Sequence, residues 1–217
     1  MQLPVKLVEL DGTESSRPYL LRLMGWTEEQ YFKEAPESRF VEFEDGELIV
    51  HSPVNVRHQR IVGFLAFLLR GYAESRHLGE VLTGPGVTQL RPGLDYEPDV
   101  FVVLSEHLDR FGAQHFAGAP ALVVEVMSPG TRTYDLRTKA ANYRAYGVPE
   151  YWVVDPERST LHRHVRPEEP SAPYLVTAHT AGRLESQAIA GFWMEVSWLW
   201  QEPLPAGLGC LEQILPR

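Results

Sequence analysis

The sequence predicts a single α/β domain, and three observations carry that prediction. Three apolar runs of strand length, PDVFVVL at 98–104, ALVVEVM at 121–127 and PEYWVVDP at 149–156, read as strands buried on both faces. A segment with helical spacing, TYDLRTKAANYRAYG at 133–147, lies between the last two. That strand–helix–strand order suggests a right-handed crossover with adjacent parallel strands. The chain of 217 residues suffices for one well-buried core, and no repeat, low-complexity tract or convincing linker divides it.

The remaining elements follow in chain order. Residues 1–26 read as an irregular lead-in, 27–205 as the domain and 206–217 as a tail. Thr27 with Gln30 three residues on resembles a capping box for a short helix reaching about Ala35. RFVEF and ELIVH flank Asp45-Gly46, a hairpin signal. Beyond Pro53 and Asn55, the spacing of Ile61, Leu65, Leu68, Leu69 and Tyr72 predicts a helix to about His77. GEVLT and GVTQL read as short strands bounded by Gly or Pro, and a short helix is expected near Glu106 to Phe111. Gly147 and Pro149 end the 133–147 helix. From Leu161 to about Gln187 the pattern is of β-ribbons, followed by Phe192, Trp193, Trp198 and Trp200, which read as core cover.

Composition narrows the class. Apolar content of 44% and charged content of 23% are those of a globular protein. No apolar run approaches the length of a bilayer span, so no membrane role is expected. MQLPVKLVEL shows no secretory pattern, and the single cysteine, Cys210, excludes an intrachain disulfide and a sulfur-rich metal cage. A reducing cytoplasm fits best. A net charge of -9 argues against a nonspecific nucleic-acid coat. The charge is unevenly spread: residues 57–76 carry Arg57, Arg60, Arg70 and Arg76 against Glu74 alone. Residues 130–146 carry Arg132, Arg137, Lys139 and Arg144 against Asp135 alone. Arg57, Arg60, Arg132 and Arg137 are therefore candidates for a phosphate-facing surface, and solvated helix faces explain the same pattern equally well.

Glu125 is the most informative residue. It interrupts an otherwise apolar strand, where an ionised carboxylate costs several kcal/mol (on the order of 2–7 even for a polar group) unless it is paired. A structural ion pair would satisfy it, as would a functional site. Asp99 is the first candidate partner, at the start of PDVFVVL, although Pro-Asp alone is commonly turn chemistry. Lys139 is the second, three residues after Leu136 and four before Tyr143 on one inward helix face. Spacing does not decide between a lysine that snorkels to the rim and one that offers a cation to phosphate. Two carboxylates and a backbone carbonyl such as that of Val126 make a hard oxygen site for Mg²⁺ or Mn²⁺. Such an ion polarises a phosphoryl oxygen and activates water, with a nearby lysine offsetting transition-state charge. Weaker candidates are Glu42 and Glu47 on the hairpin as extra ligands, and His58 and Gln59 in the first helical turn as phosphate or proton-transfer groups.

Pro98-Asp99 followed by Glu125-Val126-Met127 resembles the P-D…(D/E)-x-K signature of the restriction-endonuclease-like superfamily. Met127 stands where the signature has lysine, and Lys139 would be a lysine migrated to the following helix. The finer resemblance, over roughly 27–200, is to the Uma-type putative restriction endonucleases. It rests on Glu42 with Asp45-Gly46-Glu47, Ser52-Pro53 with His58-Gln59, and Glu97-Pro98-Asp99. Further along, the stretch 118–130 around Glu125, Tyr134-Asp135 with Lys139 and Tyr143, and 147–155 complete it. The resemblance implies a restriction-endonuclease-like core, a mixed central β-sheet flanked by helices. It implies a metal on Asp99 and Glu125 with Lys139 nearby, and DNA as substrate. Superfamily enzymes that cut both strands often dimerise, which leaves a homodimer open. The acidic balance and Met127 favour a second reading, a catalytically inactive nuclease-fold protein that binds DNA or regulates.

Overall fold

The computed structural model describes residues 19–35, 40–128, 130–169 and 172–215. Of the expected lead-in, residues 1–18 lie outside the described residues, and Leu20–Met24 forms a strand, β1. Helix α1 (Glu28–Glu34) opens with the expected capping box: Thr27 accepts from the Gln30 amide, and Gln30 accepts from the Thr27 amide. Strands β2 (Val41–Glu44) and β3 (Glu47–His51) form the expected hairpin. Asp45 and Gly46 both take positive φ, 47° and 90°, the primed turn that matches strand twist. Helix α2 (Val56–Ser75) begins where the Asn55 side chain accepts from the His58 amide, and it buries Ile61, Leu65, Leu68, Leu69 and Tyr72.

Next come β4 (Gly79–Thr83), β5 (Val87–Arg91), β6 (Leu94–Tyr96) and β7 (Val100–Leu104). A 3-10 turn over Ser105–Arg110 leads to β8 (His115–Ala117) and β9 (Leu122–Val126). Strands β6 and β8 have three residues each, too few for a period-2 pattern to declare itself. The helix expected at 133–147 starts as a π-helical turn, Tyr134–Lys139, and continues as α3 (Ala140–Ala145). Strands β10 (Glu150–Asp155), β11 (Thr160–Val165), β12 (Leu175–His179), β13 (Arg183–Glu185) and β14 (Trp193–Glu195) follow. The segment set apart as a tail carries helix α4 (Gly207–Ile214), which buries Cys210, Leu211 and Ile214 in the same core as α2. Gly71 of α2 permits that contact, since a Cβ there would stand 2.5 Å from Leu211 Cδ2.

The central sheet runs β12-β11-β10-β9-β7-β4. Strands β9 and β10 are parallel and adjacent, as the strand–helix–strand order predicts, and their neighbours are antiparallel. A second six-stranded sheet, β1-β3-β2-β6-β5-β8, covers one face, joining the expected hairpin and the expected GVTQL strand with strands the sequence did not announce. Alternate residues serve the two faces. Val100, Leu122, Val124, Trp152 and Val154 pack toward α2, α4 and Phe192. Phe101, Val103, Val123, Tyr151 and Val153 pack toward Ile49, Tyr96 and Tyr143. Burial on both sides is why these strands read as continuous apolar runs. It also means that an acidic residue in β7 or β9 is enclosed whichever way it points.

One such residue is structural. Glu150 is fully buried at the start of β10. Its Oε1 accepts from Trp152 Nε1 at 2.8 Å and from Arg163 Nε at 2.6 Å. Its Oε2 accepts from Ser186 Oγ at 2.7 Å and from the amides of Gln187 and Ala188, both at 2.9 Å. Three of these five donors tie the segment after β13 to the central sheet. Glu150→Ala should lower stability by about 3–5 kcal/mol, because it leaves the Arg163 guanidinium and the buried donors unmatched. Urea denaturation followed by tryptophan fluorescence measures it, and a loss under about 1 kcal/mol would contradict this role.

Candidate active site

Strands β7 and β9 pair with Val100 opposite Val124. Asp99, one residue before β7, therefore falls opposite Glu125, and the two carboxylates share the face turned to the second sheet. Both line a cavity of about 40 Å³, together with Val126 and Lys139. That volume suits an ion and a water or two rather than a nucleotide. Asp99, Glu125 and Lys139, drawn from two strands and the π-helical turn, are thus brought together.

Their partners differ in a telling way. Asp99 Oδ2 accepts from the Val126 amide at 2.7 Å and lies 3.1 Å from His58 Nε2. Glu125 Oε1 accepts from Lys139 Nζ at 2.8 Å and from the Tyr143 hydroxyl at 3.0 Å. Among the described residues, no donor reaches Asp99 Oδ1 or Glu125 Oε2, so each carboxylate keeps one uncommitted oxygen. Lys139 is 2% exposed and does not snorkel: its ammonium also lies 2.7 Å from Glu42 Oε1 and over the rings of Tyr96 and Tyr134.

The electrostatics show how crowded with acid the cavity is. Five carboxylates line it, those of Glu42, Glu97, Asp99, Glu125 and Asp135, against the one ammonium of Lys139. Burial drives Glu125 well above the usual carboxylate range, and the charges of Asp99, Asp135 and Glu42 add to it while Lys139 opposes them. Burial also raises Asp135 to about 6, with Lys139 and Thr131 opposing. Burial lifts Glu97 to about 8, with the Val41 amide opposing and the Glu42 charge adding. Glu42 goes the other way: burial would raise it, but Lys139 and His51 together hold it down at about 2. Lys139 is kept protonated, since Glu125, Glu42 and Asp135 outweigh the cost of its burial.

Hard oxygen donors in this arrangement suit Mg²⁺ or Mn²⁺: Asp99 Oδ1, Glu125 Oε2 and the Val126 carbonyl are the groups that would hold it. Among the described residues, no three His, Cys, Asp or Glu side chains close around a single ion.

The weaker candidates separate. His58 lines the cavity and orients Asp99. Glu42 lines it too, but grips Lys139 and His51, with 2.8 Å between its Oε2 and His51 Nε2. Glu47 pairs with Arg22 near the hairpin tip and does not line the cavity, and Gln59 is exposed on the outer side of α2. Arg57 donates to the carbonyls of Leu199 and Gln201, and Arg60 pairs with Glu202. Arg132 pairs with Asp155, and Arg137 is exposed. Three of the four arginines expected to face phosphate thus hold protein partners. His51 and Glu97 are not among the sequence's site candidates, and Asp135 enters there only as an i,i+4 partner of Lys139. For Glu97, adjacency to Pro98-Asp99 was the available signal, and for Asp135 its i,i+4 relation to Lys139.

Comparison with curated proteins finds no match. A solved structure described as a putative nuclease from Anabaena variabilis matches with a TM-score of 0.67 at 14% identity. The match covers 81% of this chain and 97% of that one, and at this identity it speaks for the fold. Among the described residues no helix is long and apolar enough to cross a membrane. The Uma2 family model, described as putative restriction endonuclease, matches residues 28–197, and the chain belongs to that family.

Proposed function

We propose that this protein is a Mg²⁺- or Mn²⁺-dependent endonuclease that hydrolyses phosphodiester bonds in DNA. The observation that carries the reading is the pair of uncommitted carboxylate oxygens, on Asp99 and Glu125, in one cavity where acid outnumbers ammonium. A bound divalent ion would supply a polarised phosphoryl group and an activated water. The chain's own residues do the rest. His58 and the Val126 amide fix the Asp99 carboxylate by its other oxygen, so Oδ1 keeps a set direction. Tyr143 does the same for Glu125. Lys139 offers a fixed positive charge where negative charge grows on the phosphoryl oxygens, and the low dielectric around it strengthens that effect. Cutting both strands of a duplex calls for two such sites, which a homodimer would supply.

Incubating the protein with plasmid DNA and Mg²⁺ or Mn²⁺ should give nicked circles. Glu125→Ala and Asp99→Ala should lower the rate by about 100-fold or more, as removal of a metal-holding group does. Equal cutting by Glu125→Ala would remove the assignment. Wild type that binds DNA but cuts with neither ion would favour the non-catalytic alternative.

Calorimetric titration with Mn²⁺ is a separate check. Wild type should give saturable heat at one site, and Asp99→Asn should weaken binding about 10- to 100-fold. Absence of saturable heat would mean that the carboxylates are a structural cluster only.

A further inference from the structure

Glu42 stands apart from the other carboxylates of the cavity. It comes from β2 in the second sheet, whereas Asp99 and Glu125 come from the central sheet. Both of its oxygens are committed. Oε1 lies 2.7 Å from Lys139 Nζ and accepts from the Glu97 amide at 3.2 Å. Oε2 lies 2.8 Å from His51 Nε2. It is 1% exposed and keeps no oxygen to give to an ion.

Lys139 needs such a partner. A lysine side chain is long and rich in rotamers, and its ammonium has no preferred plane to orient it. Of its two carboxylate contacts, Glu125 is the one that a divalent ion would draw toward itself, leaving Glu42 as the contact that persists. We infer that Glu42, braced by His51, is a positioning residue that holds the Lys139 ammonium over the reacting phosphate from the opposing sheet. The inference rests on the nuclease reading for its consequence in catalysis, and on the contacts alone for the hold itself.

The two can be tested apart. The chain has three lysines, Lys6, Lys33 and Lys139, so the ammonium signal of Lys139 in proton–nitrogen NMR is assigned by its absence from Lys139→Met. In metal-free protein that signal should be sharp in wild type and Glu42→Gln, whose amide oxygen still accepts from Nζ, and broadened beyond detection in Glu42→Ala. In cleavage assays Glu42→Ala should lower kcat about tenfold or more, with KM and Mn²⁺ affinity changed by no more than about twofold. Glu42→Gln should recover most of that loss. In a Lys139→Ala background Glu42→Ala should cost nothing further, because the two act as one unit.

Three results would overturn the inference: additive losses in the double variant, a tenfold loss of Mn²⁺ affinity in Glu42→Ala, or an unchanged ammonium signal. The second would make Glu42 a metal ligand instead. Should Glu42→Ala not fold, His51→Ala removes only the brace and must still broaden the signal and lower kcat, or the inference fails. A wild type that never cuts DNA would end the nuclease reading, while the NMR arm still decides whether Glu42 holds Lys139.

Discussion

The ammonium of Lys139 lies between two carboxylates at the junction of the two sheets, in contact with Glu42 on one side and Glu125 on the other. Taking a charge this deep costs several kcal/mol per ion after relaxation, and the attraction between neighbours repays it only where geometry is good. Here two short contacts and two aromatic faces surround it. The arrangement ties together three elements distant in sequence: β2, β9 and the turn before α3. Where the second sheet closes over the central one, the ammonium lies between the two carboxyl groups and offsets their repulsion. The site and the sheet junction are therefore the same piece of structure.

That junction also explains which acids remain available. Glu42 is held ionised by its two basic neighbours, and it is fully occupied. Glu125 and Asp99 each give one oxygen to protein donors and present the other to the cavity. Glu97 is pushed up by burial to about 8, so near neutrality it adds less negative charge than a count of carboxylates suggests. A divalent ion entering such a cavity would meet two oriented oxygens rather than a diffuse acidic patch, and orientation is what separates a ligand from a nearby charge.

Much of this was legible in the sequence, for identifiable reasons. Glu125 stood out because a charge inside an apolar strand demands partners, and the 26 residues from Asp99 allow one return strand. The hairpin and the capping box were readable because their signals are local: Asp45-Gly46 sets a turn, and Thr27 with Gln30 sets a helix start. Lys139 was readable only as far as its helix face, since spacing cannot tell an ammonium that turns inward from one that reaches the rim. Glu42 was legible only as a weak extra ligand, for a related reason. In VEFE, Glu42 and Glu44 alternate with apolar residues just as an exposed face would, and only the sheet packed over β2 turns Glu42 into a buried group. For Arg57 and Arg60 the local charge bias leaves a phosphate-facing surface and a solvated helix face equally open, since their partners, at 199–202, lie more than 140 residues away. No local pattern carries that information.

Met127 connects the sequence departure to the architecture. Two residues after Glu125 and just past the end of β9, it lies buried among apolar neighbours of the second core cluster. A lysine there would be fixed by the strand itself, with its direction set by the pleat. Lys139 instead projects from a helical turn widened by one residue, which brings Asp135, Lys139 and Tyr143 to one inward face. A cation supplied from that distance reaches the same point but loses the strand's control of its direction. That control has to come from elsewhere, and among the described residues the one carboxylate in contact with Nζ from outside β9 is that of Glu42.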